Sequence, residues 1–110
     1  MEIFGIKINK ILEQFARDRN WDKFHSTKNL ALALSVECSK LLECFQCLNE
    51  AESNNFSQDP GNREKLEDEV ADIFIYLQRI VIKNSIDLEA AVINKMKKNS
   101  ISFYSYDSRL

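Results

Sequence analysis

Carboxylate side chains fall inside or beside the apolar stripes of two helical segments. Glu37 lies within a run of apolar residues that recur at three- and four-residue offsets: Leu34, Leu41, Phe45 and Leu48. Glu69 and Asp72, three residues apart, flank a similar stripe formed by Leu66, Val70, Ile73, Leu77 and Ile80. An ionised carboxylate that points into a packed interior is costly unless it is paired or binds a metal. The sequence therefore predicts a positive partner shared by these acids.

Oxygen ligands of this kind suit Mg²⁺ or Mn²⁺ rather than zinc. The natural substrate of a carboxylate-held Mg²⁺ is a phosphate chain. The alternative is an ordinary exposed charged face, since acids at helical spacing often have no ligand. Three lysines near the C-terminus either add positive charge to such a site or belong to a solvated helix end: Lys95, Lys97 and Lys98.

The composition favours a single all-α domain over residues 1–110, because 45% of the residues are hydrophobic and there are only 2 Gly and 1 Pro. A formal net charge of −2 gives no electrostatic reason to expect nucleic acid or an anionic membrane as partner. No apolar run approaches the roughly 20 residues of a membrane span, and the first residues lack a signal-peptide core. These features predict a cytoplasmic protein.

Three cysteines lie on one predicted helix: Cys38, Cys44 and Cys47. An odd number without a secretion signal indicates reduced thiols. Cys44 and Cys47 form a Cys-x-x-Cys, but the redox motif needs a strand-to-helix setting and a zinc site needs two more ligands. We therefore favour packing thiols over a redox or zinc role.

Periodicity predicts four helices joined by two irregular stretches. The helices are expected at about residues 3–19, 28–48, 63–83 and 88–98, with Ser26 or Thr27 and Asp87 as N-caps and Asn99 as the last stop. Residues 21–25 are interpreted as an aromatic loop that binds with its rings or, alternatively, closes one end of the core with Trp21 and Phe24. Residues 49–61 are interpreted as the most mobile loop, and the tail, residues 100–110, is left unassigned.

Several apolar residues lie off the main stripes: Leu32, Val36, Leu42, Phe74 and Ile75. A monomer would expose much of this second apolar surface to water. The pattern therefore predicts a homodimer or a larger helical assembly.

Five segments together resemble one known family. They are Arg19-Asn-Trp-Asp-Lys-Phe-His25, Lys28-Asn-Leu30, Leu34-Ser-Val-Glu37 with Leu42-Glu-Cys-Phe-Gln46, Glu69-Val-Ala-Asp-Ile-Phe-Ile-Tyr-Leu77 and Lys95-Met-Lys-Lys-Asn99. In order and spacing they resemble the MazG-like nucleotide pyrophosphohydrolases of the all-α NTP pyrophosphatase superfamily, nearest to the dCTP pyrophosphatase branch. The resemblance covers about residues 15–99.

The resemblance implies a four-helix-type fold assembled as a homodimer or homotetramer. It also implies Mg²⁺-dependent hydrolysis of a (deoxy)nucleoside triphosphate, such as dCTP or a modified pyrimidine dNTP, to the monophosphate and pyrophosphate. By resemblance, the metal ligands are Glu37, Glu69 and Asp72. For an active site of this kind we further expect Glu37 to help orient the attacking water. Positions that match the family's nucleotide pocket and its phosphate or sugar contacts are Trp21, His25, Tyr76, Lys95 and Asn99.

Lys40 departs from the family pattern, because the second glutamate of the first Glu-x-x-Glu pair would fall there. Cys47 also stands where the family often has a tryptophan, and the basic ending typical of relatives is missing. Two outcomes follow for Lys40. Either the remaining acids hold one Mg²⁺ while Lys40 contacts the phosphate chain, or Lys40 replaces the metal and leaves a nucleotide-binding or structural oligomer without catalysis.

Overall fold

The structure, a computed structural model, describes residues 6–105, apart from the side chains of residues 6, 22, 24 and 101–105. Within that range it contains six α-helices and one short 3₁₀ helix, and no strand. The helices are α1 (Ile6–Asp18), α2 (Trp21–Phe24), α3 (Thr27–Glu43), α4 (Glu50–Asn55), α5 (Pro60–Lys83) and α6 (Leu88–Ser105), with the 3₁₀ helix at Phe56–Gln58. The all-α prediction is confirmed.

The chain forms two compact units, one ending at Ile80 and the other beginning at Val81. The first unit contains helices α1 to α4 and most of α5. The second contains the end of α5 and all of α6. The prediction of a single domain over residues 1–110 stays a prediction.

The aromatic stretch after α1 is a short helix, so the prediction of a loop at residues 21–25 is wrong. Asn20 separates α1 from α2 with φ 55° and ψ 40°, a left-handed conformation that asparagine tolerates better than most residues. The chain can therefore turn sharply and start a new helix, which the backbone N–H of His25 closes by donating to the Trp21 carbonyl at 2.6 Å. α2 packs on α1.

Helix α3 begins as predicted and ends earlier. The Ser26 hydroxyl accepts a hydrogen bond from the Asn29 backbone N–H at 3.0 Å, which confirms Ser26 as the N-cap. The helix stops at Glu43 rather than near residue 48. The N–H groups of Cys44 and Phe45 bond to carbonyls three residues back, at 3.1 and 2.9 Å, so the chain tightens into successive turns.

The predicted mobile loop at residues 49–61 is largely helical, so that interpretation is also wrong. Asn49 and Glu52 form a capping box, in which each side chain accepts from the other residue's backbone N–H at 2.8 and 2.9 Å. Pro60 begins α5, where its missing N–H costs nothing. The turn residues therefore start helices instead of forming an open loop.

Helix α5 buries only part of the predicted apolar stripe, since Leu66, Ile73 and Ile80 are half-buried. Its well-buried polar residues are Glu69, Gln78 and Arg79, whereas Val70 and Leu77 of the predicted apolar stripe are exposed. The predicted stripe is thus wrong at these two positions. The Gln78 side chain donates to the Asn9 side chain at 2.7 Å and so links α5 to α1.

In the second unit, the Asp87 side chain accepts from the Ala90 N–H at 3.1 Å, which confirms the predicted cap of α6. The helix continues past Asn99 to Ser105, so the predicted stop is wrong. Neither glycine nor proline follows Asn99, and nothing in the sequence there breaks a helix. Residues 3–5 of the first predicted helix and residues 106–110 of the tail lie outside the described residues. No described helix is both long and apolar enough to span a bilayer.

Candidate active site

The three predicted metal ligands lie together between α3 and α5. One carboxylate oxygen from each of Glu37, Glu69 and Asp72 can be chosen such that all three atoms lie within 4.8 Å of one another. Glu69 and Asp72 share a face of α5 because they are three residues apart, and Glu37 approaches from α3. The helices therefore bring together acids that are more than 30 residues apart in sequence.

Glu69 is the most deeply placed of the three acids, with 8% of its surface exposed. Its Oε2 atom is buried and accepts no hydrogen bond from the described residues. Glu37 and Asp72 are half-buried. A buried carboxylate oxygen without a donor is costly, so this atom is a candidate ligand for a cation.

Lys40 provides a positive charge at the same cluster. Its Nζ lies 3.1 Å from Oε2 of Glu37, one turn away on α3, and 3.5 Å from Oε1 of Glu69 on α5. Hydrogen bonding to Glu37 raises the pKa of Lys40 above the ordinary 10.5, so the side chain is an ammonium at neutral pH. About 45% of the lysine side chain is exposed, which leaves it room to move towards solvent.

The chemistry of the three carboxylate ligands fits a divalent ion. Three carboxylates converge, and oxygen is the ligand atom that Mg²⁺ and Mn²⁺ prefer. Lys40 contacts two of the three carboxylates, so an ion must share them with the ammonium or displace it. Asp72 and the free Oε2 of Glu69 are the positions least committed to Lys40.

An aromatic cluster lies next to the acids along α5. Tyr76 follows Asp72 by one helical turn, and its ring centroid is 6.2 Å from that of His25. The His25 ring is 4.7 Å from the Trp21 ring with an interplanar angle of 38°. The three predicted pocket residues of this unit, Trp21, His25 and Tyr76, are thus in one contiguous group of half-buried rings.

Two further residues belong to this cluster and were missed in the sequence. The Phe15 ring meets Trp21 edge-on at 5.1 Å, and the Arg19 guanidinium lies 3.3 Å from the centre of the Phe15 ring. Phe15 and Arg19 are four residues apart, a spacing at which a helix places a cation over an aromatic face. That spacing is the signal that could have identified them.

The other predicted contacts lie on α6 in the second unit. Lys95 and Asn99 are exposed there, as are Lys97 and Lys98. Their proposed contacts with phosphate or sugar stay predictions.

The cysteines are free thiols. Cys44 is buried, and its Sγ donates to the Lys40 carbonyl at 3.6 Å, which agrees with a packing role. Cys38 and Cys47 are exposed, so the packing interpretation is wrong for these two within this chain.

An open cavity of about 480 Å³ lies elsewhere, beside α4. Leu48, Phe56 and Asn62 are among its lining residues, and none of the clustered acids or rings of the predicted site borders it. Its volume alone assigns it no function, and the converging carboxylates carry the chemical argument instead.

Comparison with known proteins gives matches to pyrophosphatases. The chain is 38% identical to dCTP pyrophosphatase 1 of Rattus norvegicus over 92 residues, which are 84% of this chain and 54% of that protein. It is 36% identical to the Homo sapiens protein of the same name, with the same coverage. The chain thus spans about half the length of the curated relatives it matches. No family model matches the chain.

A solved structure matches over nearly the whole chain. It is the crystal structure of a pyrophosphatase from Archaeoglobus fulgidus, with a TM-score of 0.79 and 34% sequence identity. The match covers 88% of this chain and 89% of that one. Sequence identity and backbone similarity therefore agree over almost the full length of both chains.

Proposed function

Because the chain belongs to the MazG-like nucleotide pyrophosphohydrolase family, near its dCTP pyrophosphatase branch, we propose that it hydrolyses a (deoxy)nucleoside triphosphate to the monophosphate and pyrophosphate. The observation that carries this proposal is the convergence of Glu37, Glu69 and Asp72 within 4.8 Å. A cluster of acids at the meeting point of two helices, beside a group of aromatic rings, suits a substrate that has both a phosphate chain and a base.

The residues that would hold a Mg²⁺ or Mn²⁺ ion are Glu37, Glu69 and Asp72. When bound, the ion would neutralise the phosphate charge and withdraw electron density from the phosphorus under attack. The buried Oε2 of Glu69, which has no hydrogen-bond donor among the described residues, supports its role as a ligand.

The proposed chemistry is attack by water at the α-phosphorus. A bond forms between the water oxygen and this phosphorus, the bond to the bridging oxygen of the β-phosphate breaks, and pyrophosphate leaves. We assign Glu37 to accept a hydrogen bond from the attacking water and to orient it, because its carboxylate is one of the three that converge. Lys40, which is half-exposed beside Glu37, would contact the phosphate chain.

Trp21 would bind the base by stacking, with the His25 ring beside the indole and the Tyr76 ring beside His25. Stacking on an aromatic side chain contributes about 1–3 kcal/mol and works for any base. The preference for dCTP or a modified pyrimidine dNTP therefore rests on the similarity to dCTP pyrophosphatase 1 and not on stacking. Lys95 and Asn99 are proposed to contact the phosphates or the sugar.

The exposed apolar residues support a homodimer or homotetramer. Leu32 and Val36 lie one turn apart on α3 and are 56% and 57% exposed, and Val70 on α5 is 51% exposed. A second copy of the chain would remove such surface from water.

A cytoplasmic location of the protein also stays a proposal.

The alternative function is nucleotide binding without catalysis. The observation that favours it is the pair of contacts from Lys40 to Glu37 and Glu69, which neutralise part of the cluster without a metal. This alternative predicts nucleotide affinity that does not depend on Mg²⁺ and no product.

Product analysis separates the two functions. The purified protein is incubated with each common ribo- and deoxyribonucleoside triphosphate and Mg²⁺ or Mn²⁺, and the products are resolved by ion-exchange chromatography. Equal amounts of monophosphate and pyrophosphate, released fastest from dCTP, are expected. Release of orthophosphate and diphosphate, or binding without turnover, would reject the proposed reaction.

A further inference from the structure

The carboxylate cluster already contains a cation that belongs to the chain. The Lys40 ammonium bridges α3 and α5, with Nζ 3.1 Å from Glu37 and 3.5 Å from Glu69. Both carboxylates are largely buried, with 15% and 11% of their side-chain surface exposed. In such surroundings a neighbouring positive charge offsets the cost of ionised acids.

One ammonium does not satisfy the whole cluster. Asp72 lies within 4.8 Å of the other two carboxylates, and the described residues donate no hydrogen bond to the buried Oε2 of Glu69. The cluster therefore keeps negative charge and ligand atoms for a divalent ion after Lys40 is engaged. An ion there would lie close to the ammonium, and the two positive charges would repel each other.

A phosphate chain would relieve this repulsion. Lys40 has a flexible four-carbon stem and is about 45% exposed, so it can leave the carboxylates and pair with a phosphate oxygen. The carboxylates that it leaves are then free to bind the divalent ion. By thermodynamic reciprocity, phosphate and ion each increase the affinity for the other.

We propose that Lys40 is a built-in counter-ion of the carboxylate cluster, which weakens binding of a free divalent ion and couples ion binding to the arrival of a phosphate chain. The identification of the phosphate chain as part of a nucleoside triphosphate rests on the proposed function. The coupling itself depends only on Lys40 and the three acids.

The test uses Lys40→Met, which removes the charge and keeps the length of the side chain, and Lys83→Met as control. Lys83 is an exposed lysine in the last turn of α5, far along the helix from Glu69, so both variants change the net charge equally. Mn²⁺ binding is measured without nucleotide by electron paramagnetic resonance. Binding of the α,β-methylene analogue of dCTP, which cannot be cleaved between these phosphates, is measured in EDTA by calorimetry.

The expected result is that the affinities for Mn²⁺ and for the nucleotide analogue change in opposite directions. Lys40→Met should bind Mn²⁺ about tenfold or more tightly than the native protein, and should bind the metal-free analogue about tenfold or more weakly. Lys83→Met should match the native protein in both measurements. A purely structural role of Lys40 would not produce opposite changes in affinity, because damage to the fold weakens the binding of both ligands.

The proposal is overturned if Lys40→Met and Lys83→Met bind Mn²⁺ with equal affinity, or if Lys40→Met loses both affinities together. Lys40→Gln provides a second neutral variant if the methionine variant does not fold, as judged by circular dichroism. Lys40→Arg keeps the charge and should resemble the native protein. The Mn²⁺ measurement contains no nucleotide. Tighter Mn²⁺ binding by a neutral variant therefore supports the counter-ion role of Lys40 even if the native protein hydrolyses no nucleotide.

Discussion

The ammonium of Lys40 on α3 lies 3.5 Å from Oε1 of Glu69 on α5, so the two helices that carry the candidate metal ligands are joined by an ion pair. A second contact, from Lys40 to Glu37 at 3.1 Å, keeps the ammonium between the two acids. By the resemblance of the sequence, the family pattern has a glutamate at the position of this lysine. The three remaining acids, Glu37, Glu69 and Asp72, still converge.

Glu37→Gln should abolish most of the turnover. The amide retains the size of the side chain but is a weaker ligand and a weaker acceptor for the attacking water, so kcat/KM should fall by about 100-fold or more. The matched control is Glu43→Gln, an exposed glutamate at the end of the same helix. The kcat/KM of both variants is measured from steady-state pyrophosphate release. Turnover of Glu37→Gln equal to that of the native protein would remove Glu37 from the mechanism.

Trp21 should report nucleotide binding directly, because it is the single tryptophan of the chain. Stacking of a base on the indole should change its fluorescence, and titration with a non-hydrolysable dNTP gives the affinity. Trp21→Ala should weaken binding by about 5-fold to about 150-fold, whereas Trp21→Phe keeps a ring and should lose less. Native fluorescence that is insensitive to nucleotide, together with an unchanged KM for Trp21→Ala, would place the base elsewhere.

Leu30→Ala should destabilise the fold strongly, because Leu30 is fully buried near the start of α3. Removal of such a side chain lowers the free energy of unfolding by about 2–5 kcal/mol. Ile11→Ala, at a position that is 55% exposed on α1, should cost about 0.5 kcal/mol or less. Urea unfolding at constant protein concentration compares the two. Similar losses for both variants would contradict the burial seen at Leu30.

The proposed self-association should depend on the exposed apolar residues of α3. Leu32→Asp introduces a charge at a position that is 56% exposed, and sedimentation should shift from a dimer or tetramer towards a monomer at micromolar concentration. Ala31→Asp adds the same charge to the neighbouring exposed position and serves as control. A native protein that sediments as a monomer, or equal dissociation by both variants, would argue against an interface at Leu32.

Helical periodicity was sufficient to locate the main helices and the acids. Glu37 lies inside one apolar stripe and Glu69 and Asp72 flank another, so their convergence follows from the packing of two amphipathic helices. Periodicity could not identify the buried face of α5, because the apolar residues Val70 and Leu77 are exposed while Gln78 is buried with a hydrogen-bond partner on α1. Which face of a helix is buried depends on the neighbouring helices that each face contacts.

Local signals explain most of the errors in the connections. The capping box of Asn49 and Glu52 was present in the sequence, but the surrounding polar residues made the stretch resemble a loop. The left-handed Asn20, which begins the short α2 helix, has only a weak sequence signal because asparagine is common in loops of every kind. The position of Lys40 between two acids needed the structure, since its sequence position alone left both outcomes open.

The most direct test of the proposed reaction is hydrolysis of dCTP with Mg²⁺ in water enriched in ¹⁸O, followed by mass spectrometry of both products. Attack at the α-phosphorus predicts that the label enters dCMP and that pyrophosphate remains unlabelled. Lys83→Met should give the same products as the native protein, and Glu37→Gln should give little of either product. Label in pyrophosphate, release of orthophosphate, or no hydrolysis of any nucleoside triphosphate by the native protein would contradict the account.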